Sequence, residues 1–185
     1  MYTGKHFKKK LYLCKSYKNI IMNNLSLIVA IGKNNEIGRR NELLVHLPND
    51  LKRFKELTSG ATVVMGENTY FSLPVRPLPN RRNIVLTFDK EKSFPSCEIA
   101  YSIDNVLDMV KNDKDVFIMG GASVYKQFLP LASKLYLTKI DAVFADADAF
   151  FPKIDFSKWQ QMEEIHCKAD EKHRFDYAYC TYVRS

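Results

Sequence analysis

One carboxylate in residues 47–54 (LPNDLKRF) stands out because it falls on an apolar helix face. Proline is favoured in the first turn of a helix, so the sequence predicts a helix that begins at Pro48. At 100° per residue, Phe54 lies about 40° from Asp50 on one side and Leu57 about 20° on the other. Asp50 either complements the helix dipole or faces a pocket, where desolvation would raise its pKa and prepare it for a cationic or amidine-like partner.

Three predicted strands end in residues that leave room for a ligand. Gly66 precedes a helix start, Thr87 precedes a loop, and Gly120 with Gly121 precedes another helix. Ligands of open α/β sheets collect beyond the carboxyl ends of the strands. Paired glycines let a ligand approach the backbone and a helix start offers N–H groups to phosphate, although a tight strand-to-helix turn also requires glycine. Two helix starts at one sheet edge favour a dinucleotide pyrophosphate more than either does alone.

The chain has no P-loop and no GxSxG nucleophile motif. Hydride transfer needs few protein functional groups, since a nicotinamide carries the chemistry and the protein supplies orientation and electrostatics. One carboxylate, phosphate-binding turns and a flexible lid are enough for that reaction class.

The order of predicted elements indicates one α/β domain. Short apolar runs alternate with amphipathic segments, and two strands joined by a polar segment close the chain. We therefore expect a single-domain α/β fold with a mixed, mainly parallel central sheet flanked by helices and a C-terminal antiparallel hairpin. Residues 33–42 are predicted to be a long loop, either a lid or an ordinary connector. The predicted strands cover residues 25–32, 61–66, 83–87, 97–101, 115–119, 134–141, 160–168 and 174–183, and the predicted helices begin at positions 48, 67, 102 and 123.

Composition and charge exclude several classes of protein. The 185 residues are 46% hydrophobic and 12% aromatic, which is typical of one packed domain. Of the net charge of +7, six charges lie in residues 1–21, which hold six lysines and no acidic residue. No apolar run is long enough to span a membrane, and the cysteines and histidines show no metal-ligand spacing. We expect residues 1–23 to be a loose basic arm or to precede the true translation start, and residues 24–185 to form the domain.

Several short motifs, taken in order, resemble the dihydrofolate reductase family. They are the run 25–38, LPNDL at 47–51, VMG at 64–66 with Thr69, RPLP at 76–79 with Arg81 and Asn83, MGG at 119–121 with Val124 and Tyr125, and LYLT at 135–138 with Asp141. Each motif is modest, but their joint order and spacing are highly specific. The resemblance implies a bacterial-type, monofunctional, cytoplasmic and monomeric enzyme of one-carbon metabolism. It would reduce 7,8-dihydrofolate to 5,6,7,8-tetrahydrofolate with hydride from NADPH.

The resemblance also implies roles for individual residues. Asp50 would pair with N3 and the 2-amino group of the pterin, Thr138 would support that pairing, and water would carry the proton to N5. Closure of residues 32–46, the lid segment, would exclude bulk water. The substrate would contact Ile28, Leu51, Phe54, Leu73, Leu78 and Met119, with Arg81 and nearby Arg76 holding its glutamate carboxylate. The nicotinamide would meet Ala30, Ile37 and Gly38, and the rest of NADPH would lie along Asn68, Thr69, Thr87, Gly120, Gly121, Ala122, Ser123, Val124 and Tyr125.

Two positions depart from the family pattern. Val45 stands where the family usually has Trp and has no N–H to hold an ordered water beside the substrate. Glu67 stands where an Arg commonly binds the adenosine phosphate of NADPH, so an acid faces that phosphate unless Lys90 or Lys92 compensates. We expect a weaker preference for NADPH over NADH than is usual in the family, with NADH as a possible second cofactor.

Two other functions are alternatives to dihydrofolate reduction. A relative on the same fold reduces a pyrimidine intermediate of riboflavin synthesis with NADPH, but the context of Asp50 and the position of Arg81 argue against it. A non-catalytic module could use the basic arm to hold nucleic acid, but residues 22–185 carry 22 basic and 21 acidic groups and are nearly neutral. Activity on dihydrofolate distinguishes the first function, and the effect of deleting residues 1–21 on nucleic-acid binding distinguishes the second.

Overall fold

A computed structural model of the protein describes residues 21–185. The strands are β1 Met22–Ile31, β2 Glu36–Gly38, β3 Thr62–Gly66, β4 Arg82–Leu86, β5 Glu98–Ala100, β6 Val116–Ile118, β7 Ala132–Ile140, β8 Ala149–Phe150, β9 Trp159–Cys167 and β10 Tyr177–Arg184. The α-helices are α1 Pro48–Thr58, α2 Glu67–Ser72, α3 Ile103–Val110 and α4 Ala122–Phe128. Residues 1–20 of the predicted basic arm lie outside the described residues.

The main sheet has eight strands in the order β5-β4-β3-β6-β1-β7-β10-β9. The pairings from β5 across to β7 are parallel, whereas β10 runs antiparallel to both β7 and β9. The predicted mixed, mainly parallel sheet with a C-terminal antiparallel hairpin is therefore confirmed. Because the parallel strands point the same way, the carboxyl ends of β1, β3, β4 and β6 meet at one edge of the sheet.

Different helices cover the two faces of this sheet. Along β3, Val63 and Met65 belong to the core cluster that packs on α1 and α2, whereas Val64 belongs to the cluster of α3 and α4. All three side chains are fully buried. A strand covered on both faces reads as a continuous apolar run, which is why β3 could be predicted from its sequence.

The helix starts follow from local sequence. Pro48 occupies the first turn of α1, as predicted, and Asp50 lies in the same turn. Ser102 caps α3 by accepting the N–H of Asn105 at 3.0 Å. The strands differ from their predicted bounds by at most three residues, because strand ends depend on partners elsewhere in the chain.

The lid segment contains a short strand that the sequence did not predict. β2 pairs with β8 in a separate two-stranded sheet, and three residues are too few to display an alternating pattern. Glu36 in β2 is 1% exposed and accepts the N–H groups of Asn34 at 2.7 Å and Phe144 at 3.0 Å. Burial acts to raise the pKa of Glu36, but hydrogen bonds to backbone N–H groups outweigh it and hold the pKa below its ordinary value. The lid segment is thereby tied to the chain that follows β7.

None of the helices in residues 21–185 is long and apolar enough to cross a membrane. The same residues bring together no group of three or more His, Cys, Asp or Glu side chains that could hold a metal ion. The described cysteines, Cys97, Cys167 and Cys180, are free thiols.

Candidate active site

A cavity of about 1040 Å³ lies along the edge where the parallel strands end. Side chains from β1, the lid segment, α1, α2, β7 and the start of α4 form its walls. The predicted site residues that line it are Ile28, Ala30, Ile37, Gly38, Asp50, Leu51, Phe54, Asn68, Thr69, Leu73, Thr87, Met119, Gly120, Gly121, Ala122, Ser123, Val124, Tyr125 and Thr138. Positions that are distant in sequence thus share one concave surface large enough for two ligands of moderate size.

Asp50 points from the first turn of α1 towards β7. Thr138 of β7, only 2% exposed, donates its hydroxyl to Asp50 Oδ1 at 2.5 Å. Burial raises the pKa of Asp50, while the Thr138 hydrogen bond and the charge of Arg53 act in the opposite direction without cancelling the effect. None of the hydrogen bonds among residues 21–185 reaches Oδ2 of Asp50. Asp50 therefore lines the cavity with one carboxylate oxygen that has no hydrogen-bond donor among residues 21–185.

Apolar side chains surround this carboxylate. Ile28, Phe54 and Met119 line the same cavity and belong to, or pack against, the core cluster under α1 and α2. Leu51 also lines the cavity and is 40% exposed. Apolar area left uncovered in a concave wall is where a flat ring can be buried, so the site combines one charged anchor with apolar walls.

The turn between β6 and α4 packs against the turn after β3. Gly66 donates its N–H to the carbonyl of Gly120 at 2.7 Å, and the Gly120–Gly121 peptide bond is cis. Gly120 has a φ of +114°, and a Cβ there would lie 3.3 Å from both Thr69 Oγ1 and Tyr125 Oη. Only glycine suits this combination of left-handed backbone and close packing. The first N–H groups of α4 follow this turn and have no partner within the helix.

Tyr125 ties α4 to the strand that forms the floor of the cavity. Its hydroxyl donates to the carbonyl of Ile28 in β1 at 2.8 Å, and burial raises the pKa of Tyr125. The phenol is therefore a neutral structural donor that fixes the glycine turn relative to β1.

An acid-base pair lies at the far end of the cavity, where α2 begins. Glu67 Oε1 lies 2.5 Å from Lys92 Nζ, and Glu67 Oε2 accepts the hydroxyl of Thr87 at 2.8 Å. The hydrogen bonds from Lys92 and Thr87 lower the pKa of Glu67, and the bond to Glu67 raises the pKa of Lys92. The sequence had offered Lys90 or Lys92 as compensation for Glu67, and the structure pairs Glu67 with Lys92.

Three predicted substrate residues, Arg76, Leu78 and Arg81, are not among the residues that line the cavity. Arg76 donates to the carbonyls of Phe71 and Leu73, and Leu78 packs against the core cluster under α1 and α2. Arg81 donates to Thr58 Oγ1 at 2.9 Å and to the carbonyl of Pro79 at 3.0 Å. Its guanidinium carbon lies 5.7 Å from the ring of Phe54, which does line the cavity, so Arg81 stands at the rim.

Other lining residues were not selected from the sequence. Leu43 and Leu44 of the lid segment, Phe88 after β4, and Asp148 before β8 all contribute to the walls. Asp148 Oδ2 accepts the N–H of Arg40 at 2.8 Å and so also holds the lid segment. The acidic residues after β7 could have identified Asp148 in the sequence, but their pattern does not indicate that they contact the lid segment.

The comparisons with known proteins agree with this geometry. The sequence profile of the family described as "Dihydrofolate reductase" matches residues 24–184. The chain belongs to the dihydrofolate reductase family. A dihydrofolate reductase of Bacillus subtilis (strain 168) is 40% identical over 160 residues, which cover 86% of this chain and 94% of that protein. One from Staphylococcus haemolyticus is 39% identical over 160 residues, covering 86% and 95% of the two chains.

A solved structure extends the match to three dimensions. Dihydrofolate reductase from Enterococcus faecalis, complexed with NADP(H) and RAB-propyl, superposes with a TM-score of 0.82 at 36% identity. The superposition covers 89% of this chain and 98% of that one. The predicted family and fold are therefore confirmed.

Val45, where the sequence predicts a departure from the family pattern, lies in the cavity wall. Val45 packs against the small core cluster of Leu47, Ile140 and Tyr177. It extends the apolar wall above Asp50 and offers no side-chain donor there.

Proposed function

We propose that this dihydrofolate reductase binds the pterin ring of its substrate through Asp50. As a member of the family, the chain reduces 7,8-dihydrofolate to 5,6,7,8-tetrahydrofolate with NADPH. The observation that carries the assignment of Asp50 is its placement as a half-buried carboxylate in the cavity wall, bound through one oxygen by Thr138.

The chemistry of a carboxylate explains how Asp50 would recognise a pterin. An ionised carboxylate accepts two parallel N–H bonds from an amidine-like group, which N3 and the 2-amino group of the pterin provide. Burial disfavours the charge on Asp50 before the substrate arrives. Pairing with the pterin relieves that cost, so the site favours ligands that bring N–H donors.

The reaction adds a hydride to C6 and a proton to N5 of the pterin. NADPH supplies the hydride when it is bound. Asp50 pairs with N3 and the 2-amino group and not with N5, so its role is to hold the ring and raise the proton affinity of the pterin while water delivers the proton. The lid segment, fixed through Glu36 and Asp148, limits the access of bulk water to the ring.

The cavity also suits the cofactor. Gly120, Gly121 and the first turns of α2 and α4 line the cavity, where helix N–H groups would bind a negatively charged pyrophosphate. Ala30, Ile37 and Gly38 would border the nicotinamide. The remainder of NADPH would be held by Asn68, Thr69, Thr87, Gly120, Gly121, Ala122, Ser123, Val124 and Tyr125.

Arg81 would hold the glutamate tail of the substrate, with Arg76 as the second predicted cation. The partners of Arg81 are the neutral oxygens of Thr58 and Pro79, and among residues 21–185 no carboxylate forms an ion pair with it. Partial burial lowers the pKa of Arg81, which remains a cation. A guanidinium at the rim of an apolar cavity suits a carboxylate that extends out of that cavity.

We expect the enzyme to act as a monomer in the cytoplasm, without a nucleic-acid partner. The near balance of basic and acidic residues in positions 22–185 supports the last point, since nucleic-acid binding requires a basic surface. Sedimentation of the purified protein tests the monomer directly.

The test of the proposed function is the loss of absorbance at 340 nm when purified protein meets dihydrofolate and NADPH. Asp50→Asn keeps the size of the side chain but removes the charge and replaces one acceptor oxygen with an N–H donor, so kcat/KM should fall by roughly two orders of magnitude. Glu56→Gln makes the same change of charge on the exposed side of α1, where Glu56 pairs with Lys52, and should leave activity intact. Equal activity of Asp50→Asn and wild type would refute the role given to Asp50.

A further inference from the structure

The first turn of α1 lacks the capping side chain that a helix start usually has. Its N-cap is Leu47, whose side chain accepts no hydrogen bond, and Pro48 has no N–H. Asn49 therefore carries the first backbone donor of the helix, and this donor has no partner within the helix. The same turn carries Asp50, so whatever holds the N–H of Asn49 also holds the backbone beneath the carboxylate.

A histidine from the other end of the chain supplies the missing acceptor. His173, in the turn between β9 and β10, accepts the N–H of Asn49 at its Nε2, 3.3 Å away and 124 positions distant in sequence. The ring is 2% exposed and packs on Tyr177 with 5.5 Å between ring centroids. Tyr177 in turn accepts the side-chain amide of Asn49 at 3.4 Å. Asn49 is thus bound to this turn and strand through both backbone and side chain.

Asp170 fixes the orientation of the histidine. Its Oδ1 lies 2.7 Å from His173 Nδ1 and also accepts the backbone N–H groups of Lys172 and His173, each at 2.8 Å. Because Nε2 accepts a hydrogen bond, it carries no proton, and the ring proton lies on Nδ1, where it is donated to Asp170. The carboxylate therefore selects the tautomer that leaves Nε2 free to bind the helix.

We propose that Asp170 and His173 are positioning residues for the reaction, acting through Asn49 on Asp50. The inference rests on the proposed role of Asp50 as the pterin anchor. Two independent contacts then define where that anchor stands: Thr138 holds the carboxylate, and His173 holds the backbone one residue away. Both contacts come from segments joined to β10, which pairs with β7 and follows the turn. A change at His173 displaces Asp50 relative to Thr138 while the cofactor half of the cavity keeps its shape.

Steady-state kinetics of matched variants test the proposal. His173→Phe keeps a ring against Tyr177 but removes the acceptor, and it should raise the KM for dihydrofolate about tenfold. The dissociation constant of NADPH, read from quenching of protein fluorescence, should change less than about twofold because α4 and the glycine turn are untouched. His173→Gln places an amide oxygen near the position of Nε2 and should restore most of the loss. If His173→Phe weakens NADPH binding to the same extent, or if His173→Gln does not restore the KM, His173 only supports the fold and the proposal is overturned.

A double-mutant cycle separates this inference from the role of Asp50 itself. In an Asp50→Asn background, which has already lost the anchor, His173→Phe should change the KM for dihydrofolate less than about twofold. If Asp50→Asn is fully active, the proposed function of Asp50 fails. If Asp50→Asn is impaired but His173→Phe is equally damaging with and without Asp50, only the positioning role fails.

One measurement needs no substitution at all. Nitrogen-15 spectra of the imidazole report which ring nitrogen carries the proton, and the proposal requires the proton on Nδ1 of His173. A proton on Nε2 would exclude acceptance of the Asn49 N–H and overturn the proposal. Should His173→Phe fail to fold, His173→Asn takes its place, since its shorter side chain bonds within the turn but does not reach α1.

Discussion

Replacing Thr138 with valine is the sharpest test of how the site controls its one carboxylate. Valine has nearly the shape of threonine, and position 138 is 2% exposed, so the change removes a hydroxyl donor and little else. The hydroxyl is the one described hydrogen-bond donor to Asp50, at 2.5 Å. Its loss leaves the carboxylate buried with neither oxygen satisfied by the protein.

The size of the effect follows from the energetics of hydrogen bonds to charged groups. Such a bond contributes about 1.5–3 kcal/mol, which corresponds to roughly a 10- to 150-fold change in an equilibrium or rate. The Thr138 bond favours the ionised form of Asp50 and opposes the burial that raises its pKa. Without the bond, the pKa of Asp50 rises further, so the ionised form is lost at a higher pH than in the wild type.

The assay is kcat/KM for dihydrofolate as a function of pH, with Thr138→Ser as the matched control that keeps the hydroxyl. Thr138→Val should lower kcat/KM about 10- to 100-fold near neutral pH, and its acid limb should move to higher pH. Thr138→Ser should stay within about threefold of wild type at every pH. An unshifted acid limb in Thr138→Val would show that Thr138 does not control the ionisation of Asp50 and would refute the reasoning.

Three further outcomes follow from the structure. Burial raises the pKa of Asp50, so the folded protein binds this proton more readily than the unfolded chain does, and the charged form destabilises the fold at pH values above that pKa. Asp50→Asn should therefore raise the melting temperature at neutral pH by about 2–4 °C, measured by calorimetry. A lower melting temperature would contradict this argument. Glu67 at the cofactor end of the cavity neutralises Lys92, so this pair offers no net positive charge to the adenosine phosphate, and kcat/KM should favour NADPH over NADH by less than about a thousandfold. Glu67→Arg should increase the ratio, and a larger ratio in the wild type would remove Glu67 as a determinant. Arg81→Gln should raise the KM for dihydrofolate roughly tenfold but leave unchanged the KM for a 7,8-dihydropterin that has no glutamate tail. Equal effects on both substrates would exclude a role of Arg81 in binding the tail.

Elements whose residues show a clear local pattern could be predicted from the sequence alone. Pro48 marked the start of α1, the apolar runs marked the buried strands, and the polar segment before β10 marked the hairpin. The position of Asp50 among apolar residues left two roles open, because the 3.6-residue period of the helix fixes which side chains share a face but not what that face contacts. The resemblance to the family then distinguished the pocket carboxylate from a dipole partner.

Contacts between distant segments could not be predicted in the same way. The acceptor for the Asn49 N–H is His173, and the sequence around either residue does not predict this contact. β2 is too short for periodicity, and the burial of Glu36 depends on a backbone N–H at Phe144, more than 100 positions away. Arg81 was expected to bind the substrate tail, but only the folded chain could place it at the rim, between Thr58 and Phe54.

The central place of β1 has a consequence for how the protein is made. Among residues 21–185, β1 is the first strand of the main sheet to be synthesised, yet its neighbours are β6 and β7, with Leu25 paired to Val116 and Ser26 to Lys134. At about 5–20 residues per second, its most apolar stretch stays without either partner for roughly 5–20 s of translation. Ribosome-bound chains that end before residue 116 should therefore expose residues 25–31 to proteases and chaperones, whereas chains extended beyond residue 140 should protect them.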